Sequence, residues 1–343
     1  MNRYVIESQI PPPAVTAVAV DVATRVGHFG TWATALQGRP GQDHGLHFRE
    51  TSVMRFVSFE KNGRHGIGWV KDINATTFVD LAQVAPDLPT DLKALVSTPG
   101  ALAKAHAAGA QAAASAHQAL SGVQFLPLLP NPGKIVCMGL NYADHAKEGG
   151  NARPDYPSFF LRGNTSTVGH QQAIIRPKVS PHLDYEAELA VVIGQRARHL
   201  TAANALDCVA GYTCFNDASL RDYQRKSSQW TIGKNFDGTG PFGPCLVTPD
   251  ELPAGAAGLR IQSRLNGKVM QDANTRDFLW NVVESLVLIT ECMTLEPGDV
   301  IITGTPAGVG YARTPPVWMK PGDVCEIEIE GIGILSNPIA DEA

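Results

Sequence analysis

Glu186 and Glu188 stand in His182-Leu-Asp-Tyr-Glu-Ala-Glu188, and a third carboxylate, Asp217, stands in Asn216-Asp-Ala-Ser-Leu-Arg-Asp222. Alternate side chains of an extended strand share a face, so Glu186 and Glu188 point the same way, roughly 7 Å apart. The Leu-Ala-Val-Val-Ile run that follows reads as a strand buried on both faces. Like charges at the mouth of such a strand repel and are poorly solvated, a cost that a divalent cation removes. Three carboxylates with no nearby Cys or His pair suit a hard, oxygen-seeking ion: Mg²⁺ or Mn²⁺, with Ca²⁺ less favoured. The spacing alone is weak evidence. Val324-Cys-Glu-Ile-Glu-Ile-Glu330 has it too, and there strict alternation with apolar residues describes a solvated face.

Four further groups could work with these carboxylates. In Asn141-Tyr-Ala-Asp-His-Ala-Lys-Glu148, His145 and Glu148 at i,i+3 share a helix face. A carboxylate beside an imidazole makes a general base for water; the ordinary alternative is a surface pair. Gly149 and Gly150 could hinge a lid over the site. Arg221 and Gln224 follow Asp217 by four and seven residues, so a helix would put all three on one face, with Arg221 free to clamp a substrate carboxylate. Lys234, in Ile232-Gly-Lys-Asn-Phe-Asp237, could stabilise a developing enolate. Thr305, in the turn Thr303-Gly-Thr-Pro-Ala-Gly308, could hold a carboxylate. Gly238-Thr-Gly-Pro-Phe-Gly243 fits a dinucleotide fingerprint, but its prolines spoil the helix such a site needs and no acid follows near residue 263.

These residues need a scaffold, and 343 residues are enough for one large core and a smaller module. Charged residues are 18% and hydrophobic ones 44%, which describes a globular chain. A net charge of -5 is too mild to imply a nucleic-acid or membrane-surface partner, and scattered Lys and Arg argue against a phosphate-backbone tracker, so neither partner is expected. No apolar run is long enough to span a bilayer. The six cysteines form no C-x-x-C pair and read as inert core thiols of a reduced, cytoplasmic protein. Residues 1–53 show no sustained period and read as an N-terminal extension, expected to be disordered and to take no part in catalysis. Order begins at Met54 with a hairpin around Asn62-Gly63. Residues 101–121 are Ala-rich and helical in propensity. A Pro-rich joint at 126–132 separates a small domain, 54–126, from the catalytic part, 127–343. Asn266-Gly267 marks a second hairpin, and 279–293 carries a helical apolar stripe.

Between Lys134 and Asn337 these pieces resemble the fumarylacetoacetate hydrolases. The likeness rests on Gly139-Leu-Asn-Tyr-Ala-Asp-His145, Asp184-Tyr-Glu-Ala-Glu-Leu189, Phe215-Asn-Asp-Ala-Ser219, Gly233-Lys-Asn-Phe-Asp237 and Ile302-Thr-Gly-Thr-Pro306, in that order. The resemblance implies a mostly β protein with α: a mixed β-sandwich roll with a smaller N-terminal domain, assembled as a homodimer. It implies Glu186, Glu188 and Asp217 as metal ligands and His145 with Glu148 as a water-activating dyad. Lys234, Arg221, Gln224 and Thr305 become contacts to a small 2-oxo acid. Arg162 stands where many relatives carry Lys. The reaction implied is C–C hydrolysis of a 2,4-dioxo acid of the acylpyruvate or fumarylpyruvate type, to pyruvate and a carboxylic acid, in aromatic-compound catabolism. The same family isomerises, decarboxylates or hydrates related 2-oxo-enoates through a common enolate. Asn337-Pro and the Pro315-Pro-Val-Trp-Met-Lys-Pro321 stretch resemble its isomerase-type members. Loops around 149–157 and 312–320 are expected to set substrate size.

Overall fold

Strand Ala187–Ile193 is buried at every position and lies at the centre of the fold. It pairs antiparallel with Val209–Asn216 on one side and with Val300–Ile302 on the other. Its odd residues, Leu189, Val191 and Ile193, face one core with Ile261, Ile327 and Leu335. Its even residues, Ala190 and Val192, face another with Leu92, Leu95, Trp69 and Ile302. The uninterrupted apolar run thus has the cause the sequence implied: both faces are covered. Glu186 and Glu188 continue the even face beyond the end of that second core.

The computed structural model describes residues 54–150 and 154–343. The extension 1–53, and 151–153 within one of the expected size-setting loops, lie outside the described residues. The architecture is mostly β. A 12-stranded mixed sheet runs from His117–Ala119 through the hairpin Arg55–Lys61/Arg64–Val70 to Gly240–Val247, then through the central strand to Ile135–Gly139 and Ser158–Arg162. A second, five-stranded sheet contains the hairpin Arg260–Leu265/Lys268–Asn274 and the strands Val324–Ile329 and Gly333–Asp341. Both Asn-Gly turns form with positive φ at both residues, as hairpin twist requires. The Pro-rich joint near 126–132 does not interrupt the large sheet. Arg55 and Phe56 pair across to Val247 and Leu246, so segment 54–126 extends the sheet that carries the central strand.

The Ala-rich stretch is α-helical over Ala101–Ala110, with single 3-10 turns at Ala114–Ala116 and Leu120–Gly122. Beyond it, His117–Ala119 pairs with Thr77–Val79, so sheet pairing overrides helix propensity. Helix Val282–Cys292 buries Val282, Leu286 and Ile289 and begins with a capping box between Asn281 and Glu284. Gly238–Gly243 opens no helix; Gly240 begins a strand. Glu326 and Glu328 are not merely solvated: both pair with Arg264 on the neighbouring strand. Five of the six free cysteines are buried, and Cys292 is exposed. Among the described residues no helix is long and apolar enough to cross a membrane.

Candidate active site

One oxygen from each of Glu186, Glu188 and Asp217 lies within 4.8 Å of the others, and all three residues are buried. Backbone pairing brings them together. The Asp217 amide donates to the Glu186 carbonyl at 3.0 Å, and the Glu186 amide donates to the Asn216 side chain at 3.0 Å. Asp217 is therefore not on a helix with Arg221 and Gln224, as the spacing suggested. It ends the strand Val209–Asn216, and the short ladder Leu183–Asp184/Ser219–Leu220 intervenes before a single helical turn, Arg221–Gln224.

Three cations stand against the cluster. Lys234 Nζ bridges Glu186 and Asp217, 2.5 Å from Asp217 Oδ2, and sits over the Phe160 ring. Arg162 Nη1 lies 2.5 Å from Asp217 Oδ1, with its other nitrogens on Ser166 and Thr239. Arg221 places Nη1 at 2.7 Å from Glu186 and 2.9 Å from Gln224, and Nε at 2.8 Å from Asp184. The expected free clamp is therefore largely engaged, and only the buried Nη2 of Arg221 lacks a partner.

These contacts split the two glutamates. Burial alone would raise Glu186, but Arg221 and Lys234 hold it at about 2. Burial pushes Glu188 well above the usual carboxylate range, and the charges of Asp217 and Glu186 push it further. Lys234 is disfavoured by burial, yet Asp217 and Glu186 raise it above the ordinary lysine value. With all four carboxylates ionised, Asp184, Glu186, Glu188 and Asp217 face Lys234, Arg221 and Arg162, so one negative charge is left over. That surplus, on oxygen donors alone, fits a hard divalent cation.

Glu188 also accepts from the Gly304 amide at 2.5 Å. Gly304 has φ +92°, and a Cβ there would approach the Asn141 side chain to 2.8 Å, so the close approach needs glycine. Asn141 is fully buried and donates to the carbonyls of Thr303 and Trp280 at 2.7 and 3.0 Å. It thereby fixes the start of helix Ala143–Glu148 against the same turn. His145 on that helix is buried and borders a cavity of about 480 Å³ that also contains the carboxylate cluster.

His145 Nδ1 lies 3.6 Å from Glu148, too far for a hydrogen bond, and has no partner. The Glu148 carboxylate instead accepts from the Gly308 amide at 2.9 and 3.0 Å. Gly308 has φ +105°, and a Cβ there would come to 2.4 Å from the Met270 carbonyl oxygen. Thr305 borders the cavity, but its hydroxyl donates to the Ala187 carbonyl at 3.0 Å and accepts from Gln271 at 2.8 Å. It braces the strand carrying Glu188.

Four working residues had no role assigned by sequence reading: Asp184, Arg162, Gln271 and Tyr311. Asp184 offered a signal, since it precedes Glu186 by two in the same alternation. It accepts from Arg221 and from the Gly310 and Tyr311 amides at 2.7 and 3.1 Å, tying the guanidinium to the cavity rim. Gln271 offered none. It reaches Ala187, Thr305 and Pro306 from the second sheet.

Residues 134–340 match the family model of the fumarylacetoacetate hydrolase C-terminal domain. The chain is 41% identical over 220 residues to the mitochondrial oxaloacetate tautomerase Fahd2a of Rattus norvegicus, covering 64% of this chain and 70% of that one. It resembles the solved fumarylacetoacetate hydrolase of psychrophilic Exiguobacterium antarcticum, with TM-score 0.71 and 35% identity over 84% of this chain and 100% of that one. The 2-hydroxyhepta-2,4-diene-1,7-dioate isomerase of Mycobacterium marinum matches with TM-score 0.66 and 31% identity, over 84% of this chain and 99% of that one. With its motifs in order and its acidic cluster at the end of the central strand, the chain belongs to the fumarylacetoacetate hydrolase family.

Proposed function

We propose that the protein is a metal-dependent tautomerase of a 2-oxo dicarboxylic acid, interconverting the keto and enol forms of an oxaloacetate-like substrate. Glu186, Glu188 and Asp217 are its metal ligands, with Mg²⁺ or Mn²⁺ as the ion. When bound, that ion would supply a Lewis acid to polarise the 2-oxo acid head of the substrate. His145 takes the proton from C3 as the C3–H pair becomes the C2=C3 bond and passes it to the 2-oxygen, so the net change is one proton moved from carbon to oxygen. Lys234 adds positive charge beside the developing oxyanion. Arg221 Nη2 and Gln224 meet substrate oxygens, while Thr305 positions Glu188. In this reading the enzyme is a homodimer in a reducing compartment such as the cytoplasm.

The observation that carries this reading is the placement of Glu148. Its carboxylate is held by the Gly308 amide and stands 3.6 Å from His145, so the cluster faces one proton carrier rather than a hydrogen-bonded dyad. Tautomerisation needs one such carrier; hydrolysis needs an activated water as well. The name of the 41% identical rat relative supports the same chemistry.

C–C hydrolysis of an acylpyruvate is the second reading. It is favoured by the presence of both His145 and Glu148 on one face of the helix beside the cavity. The deciding experiment follows enol absorbance and pyruvate together, using oxaloacetate and acetylpyruvate with Mg²⁺. Faster keto–enol equilibration of oxaloacetate without pyruvate release, abolished by EDTA and by His145→Ala, supports the tautomerase. Enzymatic pyruvate release from acetylpyruvate with no effect on oxaloacetate enol overturns it in favour of hydrolysis.

A further inference from the structure

Arg225 is exposed and outside the acidic cluster, yet it is held in place. Its guanidinium carbon lies 4.4 Å from the centre of the Tyr311 ring, and that of Arg221 lies 4.5 Å from the same centre. Both arginines and the ring border the cavity that contains Glu186, Glu188 and Asp217. Tyr311 is anchored in turn through its amide to Asp184, the partner of Arg221. The two arginines differ in how their charge is used. Arg221 is engaged by Asp184 and Glu186, whereas Arg225 makes no ion pair with a carboxylate among the described residues.

Charge balance shows what such a group can do. With all four carboxylates ionised, as metal binding requires of its ligands, the inner cluster counts one surplus negative charge, which a divalent cation converts to one surplus positive charge. The first carboxylate of a 2-oxo acid cancels that. A second carboxylate then needs a cation that is not already paired, and among the described residues on the wall of this cavity Arg225 is that group. A guanidinium stacked on an aromatic face keeps its planar fork free for two parallel hydrogen bonds, and less rotamer freedom remains to be lost on binding.

We propose that Arg225, held by Tyr311, is the specificity determinant that binds the distal carboxylate and selects 2-oxo dicarboxylates over 2-oxo monocarboxylates. The inference rests on the reading of the acidic cluster as a 2-oxo acid site. It does not rest on which reaction follows.

The test is equilibrium binding to the full-length, Mg²⁺-loaded protein by titration calorimetry. The probes are malate and lactate, which share a 2-hydroxy acid head and differ by the distal carboxylate. Oxalate, offering the head alone, reports the inner site. The wild type is expected to bind malate at least about tenfold tighter than lactate. Arg225→Gln should bring that ratio within about threefold, and Tyr311→Leu should lower it with no change in thermal unfolding. Oxalate binding with no malate preference, or a preference unchanged in Arg225→Gln, overturns the subsite alone. Absence of oxalate binding overturns the inner site and the subsite with it. A malate preference that depends on Arg225 in a protein without tautomerase activity would leave the subsite standing and sink the proposed reaction.

Discussion

Lys234→Met removes the ammonium that bridges Glu186 and Asp217 and sits over the Phe160 ring, while keeping most of the aliphatic stem. Lys234, Glu186 and Asp217 are all buried, so the loss leaves two carboxylates short of a partner at the inner end of the cavity. Breaking a buried pair in this way costs about 3–5 kcal/mol. At roughly 2 °C per kcal/mol for a chain of this size, the metal-free variant should melt about 6–10 °C below the wild type at pH 7.5.

The pH dependence has a defined sign. Arg221 and Lys234 hold Glu186 at about 2, below its ordinary 4.5, against the opposing effect of burial. A depressed folded value stabilises the native state above pH 4.5, and that stability is lost as pH falls toward 2. The gap between wild type and variant should therefore narrow below pH 4.5. A divalent cation should restore positive charge, so saturating Mg²⁺ should raise the melting temperature more in the variant than in the wild type. The assay is thermal or urea unfolding in EDTA and in Mg²⁺ across pH 3–8. A metal-free variant within about 1 kcal/mol of the wild type at pH 7.5 would refute the reasoning. So would a gap that widens toward acid.

Glu188→Gln should act in the opposite direction. Burial, Asp217 and Glu186 all raise the Glu188 carboxyl, so ionising it costs native stability as pH rises. The variant should gain about 1–2 kcal/mol at pH 7.5 without metal and lose the Mg²⁺-induced shift, both read by unfolding. His145→Ala should lower kcat by roughly 10²–10⁴. Glu148→Gln should lower it by less than about tenfold, because Glu148 holds Gly308 rather than His145. Equal losses in the two variants would favour the hydrolytic reading. Asn281→Ala breaks the capping box of helix Val282–Cys292 and should cost about 1 kcal/mol in urea unfolding with kcat unchanged.

What could be read from the sequence was local. Alternation put Glu186 and Glu188 on one face, both Asn-Gly turns placed their hairpins, and the apolar period located helix Val282–Cys292. What could not be read depends on contacts distant in sequence. Arg221 meets Asp184 across 37 positions and Glu148 meets Gly308 across 160. No local pattern encodes either contact; helical spacing shows only that Glu148 stands near His145, at 3.6 Å, and that Arg221 could clamp a substrate carboxylate or form a surface ion pair. A helix would have put Asp217 on one face with Arg221 and Gln224, which follow at helical spacing. The pairing of Leu183–Asp184 with Ser219–Leu220 overrides that spacing. The Pro-rich joint read as a boundary because proline signals a break in local structure. The pairing of Arg55 and Phe56 with Val247 and Leu246 is invisible to composition.

The most direct test of the central claim is the decay of oxaloacetate enol absorbance in the presence of the purified protein, with pyruvate measured in the same cuvette. We expect Mg²⁺-dependent acceleration without pyruvate release, abolished by EDTA and by Asp217→Asn in a protein that still unfolds cooperatively. Acceleration that persists in EDTA, or that survives Asp217→Asn, would contradict the account.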